Sequence, residues 1–155
     1  MPSHVLIHDG ARPWIRGELI ERIIDAVINC GAVIPALPLT ETPKLLHPAG
    51  GSPMKDDSLF MGLIKQHLRR AELCTAQTPQ GFKFPEILAA HLKAREREDR
   101  ENFDYTDDAE VWGEFIGEVA VIRGDPDNRK ITYPEDLYSA NAPDPNLILD
   151  TQCTE

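Results

Sequence analysis

Two short apolar runs, Val5-Leu6-Ile7 and Ala32 to Leu39, bracket a segment in which Leu19, Ile20, Ile23, Ile24, Val27 and Ile28 recur at helical spacing and Gly31 follows. Nothing else in the chain restricts the fold so strongly. The spacing predicts a helix over 18–30, with Gly31 just past its C-terminus, where a glycine commonly takes the left-handed conformation. A short apolar run on either side suits strands buried on both faces. The unit is therefore β-α-β, with parallel strands joined by a right-handed crossover, and the expected class is α/β. Pro35 and Pro38 cannot donate to a ladder, so the second strand is expected to be irregular or peripheral near its end.

From Thr40 to Cys74 the pattern degrades. "HPAGGSPMKDD", residues 47–57, concentrates Gly, Pro, Ser and charge, while "TPKLL" and "ELCTAQ" on either side could pair as two extended strands. The stretch reads as an excursion from the sheet, over about 40–76, with an ordered base and a mobile tip. Leu59, Phe60, Leu63, Ile64 and Leu68 give it apolar surface that needs a cover, and a partner subunit is a natural one.

"QTPQGF", residues 77–82, reads as a turn-rich joint, after which Pro85 opens a helix with Ile87, Leu88 and Leu92 on one face. The mixed charge run 94–102 is a solvated helix end and loop. Asp107 and Glu110 have capping-box spacing for a short helix through Phe115, and the acids of its first turn, Asp108 among them, suit the helix dipole without any catalytic role. "VAVI", 119–122, is a further buried-strand run. Thr132 and Glu135 form a second capping box for a last helix through Ala140, and the tail 141–155 is expected to be poorly ordered.

At 155 residues the chain can bury one real core and is too short to expect two domains. Against 16 basic residues stand 26 acidic ones, a formal charge of −10, which argues against a broad nucleic-acid footprint. Any anionic ligand must be held by a few local cations. No apolar run is long enough to span a membrane and no leader pattern opens the chain, so the expected location is cytoplasmic. Cys30, Cys74 and Cys153 are far apart and suit reduced thiols, with Cys30 a packing residue of the first helix. The histidines lack metal-ligand spacing; His8 reads as a strand residue that packs and finds one hydrogen bond.

The first strand ends in "HDGARP". In an open α/β sheet ligands sit outside the carboxyl ends of the strands, which is where Asp9 and Arg12 project. A turn closed by a local Asp9–Arg12 ion pair is the plainer account of the same residues. Two other loops carry polar groups from joints or strand ends: Thr78 in QTPQ and Lys130 in DNRK, the latter also readable as a surface lysine after a turn.

Taken in order, "HDGARP", "TETPK", "QTPQGF", "TDDA" and "GDPDNRKITYPEDL" resemble the 2-C-methyl-D-erythritol 4-phosphate cytidylyltransferases, over about Val5 to Ala140. The ribitol 5-phosphate cytidylyltransferases share most of these motifs, and Lys44 is more like the methylerythritol branch. The resemblance implies a Rossmann-like three-layer α/β sandwich fragment with a protruding dimerisation arm. It implies transfer of CMP from CTP to methylerythritol phosphate, with pyrophosphate leaving and magnesium or another divalent cation assisting. Asp9 and Arg12 would hold the acceptor, with Asp9 also close to the ribose or the magnesium. Gly10 and Ala11 would let the backbone approach the nucleotide, Thr78 would donate its hydroxyl to the acceptor phosphate, and Lys130 would face the reacting phosphates. Thr42 and Arg70, or Arg69 in the neighbouring register, match arm residues given to a second subunit's site, so a homodimer is implied. The arm from Lys44 to Arg70 is longer than the family's, and Glu41 stands where the family has aspartate. The family opens with a glycine-rich loop that cradles the CTP triphosphate, and no such cluster is present here. The expectation is thus the C-terminal portion of a cytidylyltransferase domain over 1–140 with an incomplete nucleotide site. A non-catalytic dimerisation or binding module is the alternative from another class.

Overall fold

The computed structural model describes residues 1–47, 62–101 and 104–138. The expected arm tip, with Leu59 and Phe60, and the tail from 141 lie outside the described residues. The chain forms two compact units, Met1–Leu37 with Ala76–Glu155, and Pro38–Thr75.

In the first unit β1 (His4–Ile7), α1 (Gly17–Cys30) and β2 (Ala32–Pro38) form the expected β-α-β unit. Its strands run in the same direction, but they are not neighbours. β6 (Gln80–Lys83) lies between them, antiparallel to both, with Val5 opposite Phe82 on one side and Ala32 opposite Phe82 on the other. The QTPQGF joint is thus half a central strand, and Gln80, Gly81 and Phe82 are buried. Its turn residues masked it: Thr78-Pro79, a cis peptide bond, immediately precedes the strand.

β2 is not peripheral. β7 (Ala120–Arg123) pairs with it in parallel, Val33 to Ala36 against Ala120 to Arg123, and β5 (Cys74–Ala76) follows β6 on its other side. Pro35 is tolerated because its carbonyl accepts the Gln77 N–H at 2.8 Å in the gap between β5 and β6, where the ladder is already interrupted.

Strand alternation sorts the side chains into two layers. Leu6 and Val33 face α1, where Leu19, Ile23 and Val27 are buried, with Ala120 and Ile122 beside them. Val5, Ile7, Ala32 and Phe82 face α2 (Phe84–Glu101) and α3 (Asp108–Phe115), which contribute Ile87, Ala90, Ala94, Val111 and Trp112. This is the α/β/α sandwich. α1 lies so close to β6 that a Cβ on Gly81 would come within 3.0 Å of Ile23, 3.1 Å of Leu6 and 3.2 Å of Val33. That close approach accounts for glycine in the middle of a strand.

Several apolar residues are not where their spacing put them. α2 buries Ile87, Ala90 and Ala94, while Leu88 and Leu92 are exposed; the small residues face the sheet because the helix packs closely on it. Ile24, Ile28 and Val121 are exposed, as is Cys30, a free thiol like Cys74. Asp107 caps α3 as expected, accepting the Glu110 N–H at 2.9 Å, but Glu110 returns its bonds to Thr106, N–H and hydroxyl both, one residue short of a capping box. The last helical segment is a 3-10 turn, Pro134–Tyr138, and its capping carboxylate is Asp136, which accepts the N–H groups of Thr132 and Tyr133, not Glu135.

The second unit holds a hairpin of β3 (Lys44–His47) and β4 (Leu63–His67). TPKLL therefore pairs with Leu63–His67, with Leu46 opposite Ile64 and a bulge at Leu45–Leu46, while ELCTAQ leads into β5 of the larger sheet. Leu45, Leu46, Leu63 and Ile64 are all exposed on this hairpin.

Candidate active site

β1, β2 and β7 end on the same edge of the sheet, and β6 begins there. The loops at that edge bring together residues distant in sequence. Lys130 Nζ lies 2.8 Å from Asp9 Oδ2, and the Ala11 N–H donates to Asp9 Oδ1 at 2.9 Å. The Lys130 hydrogen bond, then the Ala11 amide, hold the Asp9 carboxyl below its ordinary value, against a small opposing effect of burial. The Asp9 N–H donates to Thr78 Oγ1 at 3.0 Å. Asp9, Lys130 and Thr78 thus form one hydrogen-bonded cluster drawn from three segments.

Arg12 is not the ion-pair partner of Asp9 that a closed turn would make it. Its half-buried guanidinium donates to the Asn128 carbonyl at 2.8 Å and the Ala76 carbonyl at 3.4 Å, and Nε is buried without a partner among the described residues. Burial lowers its pKa, the field of Asp9 partly offsets this, and an arginine stays charged regardless. It ties the β1 loop to the loops around β5 and β7 while carrying positive charge to the cluster.

The two outer loops meet along their length. Ile131 N–H donates to the Ala11 carbonyl at 2.8 Å, the Arg129 guanidinium lies 5.3 Å over the Trp14 ring, and Arg16 pairs with Asp127 and, at 3.9 Å, Asp125. Gly10 is exposed, and a Cβ there would meet nothing within 4 Å among the described residues, so packing inside the chain does not require glycine.

His8 was legible only as a strand residue. It lies just past β1, exposed, with Nε2 3.1 Å from the Arg12 carbonyl and Nδ1 3.1 Å from Thr78 Oγ1. A carbonyl only accepts, so Nε2 carries the hydrogen, and in the neutral ring Nδ1 accepts the hydroxyl of Thr78. Gln77 and Asn128 are also in the network, both buried. They fall inside motifs the sequence singles out, QTPQ and DNRK, but an uncharged amide leaves no mark in charge or periodicity.

Thr42 and Arg70 belong to the other unit. Arg70 opens a 3-10 turn and donates to the Thr40 carbonyl at 2.7 Å, whereas Arg69 lies 3.9 Å from Glu72 and is highly exposed. No group of three His, Cys, Asp or Glu side chains is gathered as a metal cage among the described residues. Asp9 offers a single carboxylate, which fits a magnesium ion that takes one protein oxygen and draws its other ligands from water and phosphates.

The sandwich, with an acid and two cations gathered at the carboxyl ends of its parallel strands, defines a Rossmann-like α/β protein with a charged site at that edge. Residues 2–143 match the family model of 2-C-methyl-D-erythritol 4-phosphate cytidylyltransferase, IspD. A bifunctional enzyme IspD/IspF of Nitrobacter winogradskyi is 42% identical over 142 residues, 91% of this chain and 32% of that protein. A 2-C-methyl-D-erythritol 4-phosphate cytidylyltransferase of Bacillus licheniformis is 39% identical over 138 residues, 89% of this chain and 52% of that one. The crystal structure of the enzyme of that name from Thermus thermophilus superposes with a TM-score of 0.69 at 31% identity, over 89% of this chain and 60% of the other. The chain belongs to the 2-C-methyl-D-erythritol 4-phosphate cytidylyltransferase family, and it spans between about a third and three fifths of the length of these relatives.

Proposed function

We propose that this chain carries the acceptor side of a cytidylyl-transfer site. A phosphate oxygen of 2-C-methyl-D-erythritol 4-phosphate attacks the α-phosphorus of CTP in line, a new P–O bond forms, and the bond to the β-phosphate breaks to release pyrophosphate. Such chemistry needs little from a protein beyond positioning and charge neutralisation. The observation that carries the reading is the convergence of Asp9, Arg12, Thr78 and Lys130, from separate segments, at one edge of the sheet in a chain of this family. The family's name carries methylerythritol phosphate, so ribitol phosphate is not favoured.

Lys130 is the cation for the reacting phosphates: Nζ is half exposed on a flexible stem and able to leave Asp9 for a phosphate oxygen. Asp9 and Arg12 bind the acceptor, and Arg12 supplies a guanidinium suited to a phosphate. Thr78 must turn its hydroxyl from His8 to reach that phosphate. Gly10 and Ala11 lie where the nucleotide backs onto the chain. Asp9 would supply the one carboxylate oxygen for a magnesium ion, which would offset the charge of the triphosphate.

Calorimetry of this chain with CTP and magnesium, with and without methylerythritol phosphate, tests the assignment. Acceptor binding that Arg12→Ala abolishes is expected. Failure to bind either ligand would leave a family fold acting only as a binding or dimerisation module.

Thr42 and Arg70 are assigned to a second subunit's site, with Pro38–Thr75 as the dimerisation arm. Four exposed apolar side chains on one small hairpin support this, since such surface is normally covered. Sedimentation should show a dimer that dissociates when residues 45–68 are deleted; a monomer before deletion would remove the arm's role. Among the described residues no helix is long and apolar enough to cross a membrane. With Cys30 and Cys74 as free, exposed thiols, we assign the chain to the cytoplasm, a reducing compartment.

A further inference from the structure

Two amides are buried behind the candidate site, Gln77 at 4% exposure and Asn128 at 0%. A buried amide is costly unless its donors and acceptors are met, so what these two bond to reports what they are for. Gln77 Nε2 donates to the carbonyls of Asp125 at 2.9 Å and Asn128 at 3.1 Å, and its Oε1 accepts the Asp125 N–H at 3.0 Å. Asn128 Nδ2 donates to the Thr78 carbonyl at 2.8 Å, its Oδ1 is buried without a partner among the described residues, and the Asn128 carbonyl takes the Arg12 guanidinium. The next anchor along the chain is Ile131, whose N–H donates to Ala11 at 2.8 Å.

Lys130 therefore rides between two fixed points. Its ammonium is half exposed, so burial does not hold it; the backbone beneath it does, and that backbone hangs on Gln77 and Asn128. Resting on the catalytic reading above, we infer that Gln77 and Asn128 are positioning residues: they lock the loop after β7 to the Thr78 segment and to Arg12, and so set where Lys130 meets Asp9.

The chemistry requires amides. Each donates to carbonyl oxygens, which an ionised carboxylate of the same shape cannot do. Room has been made for Gln77 as well: a Cβ on Gly124 would lie 2.4 Å from its Oε1. Gln77→Glu and Asn128→Asp keep the shape and reverse the polarity toward Asp125, Asn128 and Thr78.

The test is acylation of the lysines of this chain by an acetyl N-hydroxysuccinimide ester at fixed pH, read by mass spectrometry as the ratio of Lys130 to Lys93, which is exposed on α2. Release from Asp9 should raise the ratio about threefold, the scale of an exposed ion pair, in both variants. An Ile87→Val variant, which weakens the core but touches neither loop, should leave the ratio at its wild-type value despite a lower melting temperature. An unchanged ratio in two cooperatively melting amide variants overturns the inference, and so does an equal rise in Ile87→Val. If one amide variant does not fold, the other decides. The ratio reads the placement of Lys130 whether or not cytidylyl transfer occurs, so this result stands apart from the outcome of a transfer assay.

Discussion

An active enzyme containing this chain with Lys130→Ala is expected to turn over about 100-fold more slowly or worse, the loss typical of removing one preorganised charge-stabilising donor, with a much smaller rise in KM. The reasoning is electrostatic. The negative charge on the transferring phosphoryl group is redistributed as the bond to pyrophosphate stretches, and a cation that can follow it stabilises the transition state more than the ground state. Lys130 has that freedom, since its present partner is a single carboxylate oxygen of Asp9 at 2.8 Å and half of its side chain is open to solvent. Steady-state kinetics with saturating CTP separate the two possibilities. A rise in KM with turnover intact would reassign Lys130 to ground-state binding, and no change in either would return it to a structural partner of Asp9.

Phe82→Ala should cost about 3–5 kcal/mol, the range for truncating a buried aromatic residue. Phe82 is fully buried on the central strand, its ring 5.6 Å from that of Trp112, within a cluster that includes Ala32, Ile87, Ala90, Ala94 and Val111. Beside Ile87, the α2 members of this cluster are Ala90 and Ala94, which cannot swing into the space, so most of the cavity should persist. Set against a total stability of about 5–15 kcal/mol for a typical domain, the loss is a large fraction. Urea titration of the variant beside Leu92→Ala measures it; Leu92 is 61% exposed, and its truncation should move stability by only about 0.5 kcal/mol. A loss below about 1 kcal/mol at Phe82 would mean that the cluster recloses over the gap.

The sequence made the β-α-β unit legible because Val5–Ile7, the α1 stripe and Ala32–Leu39 each carry a local pattern, and local patterns survive without knowledge of what packs on them. β6 was hidden for the opposite reason. It is four residues long, contains Gln80 and Gly81, and owes its place to neighbours on both sides and not to its own propensity. The same holds for α2, where Leu88 and Leu92 marked the wrong face because the seat against the sheet is filled by Ile87 with the small Ala90 and Ala94. In the candidate site, charge exposed Asp9, Arg12 and Lys130 to inspection, and the motif order tied them to Thr78. Gln77 and Asn128 became visible only as hydrogen-bond partners, and His8, read from the sequence with one hydrogen bond, reaches Thr78 70 positions away.

β6 also fixes a sequence of events in chain entropy. The two strands that α1 connects cannot be joined into a continuous sheet until residues 80–83 arrive between them, and the whole segment Pro38–Thr75 is spelled out first. The centre of the core is thus closed by a long-range contact, which predisposes the domain to slower folding than its local helix would suggest. The penalty for a longer intervening segment grows only logarithmically, by about 0.6 kcal/mol for each doubling of a flexible loop. The excursion can therefore lengthen or shorten between relatives at little thermodynamic expense to the sheet, leaving its size free to be set by whatever it contacts.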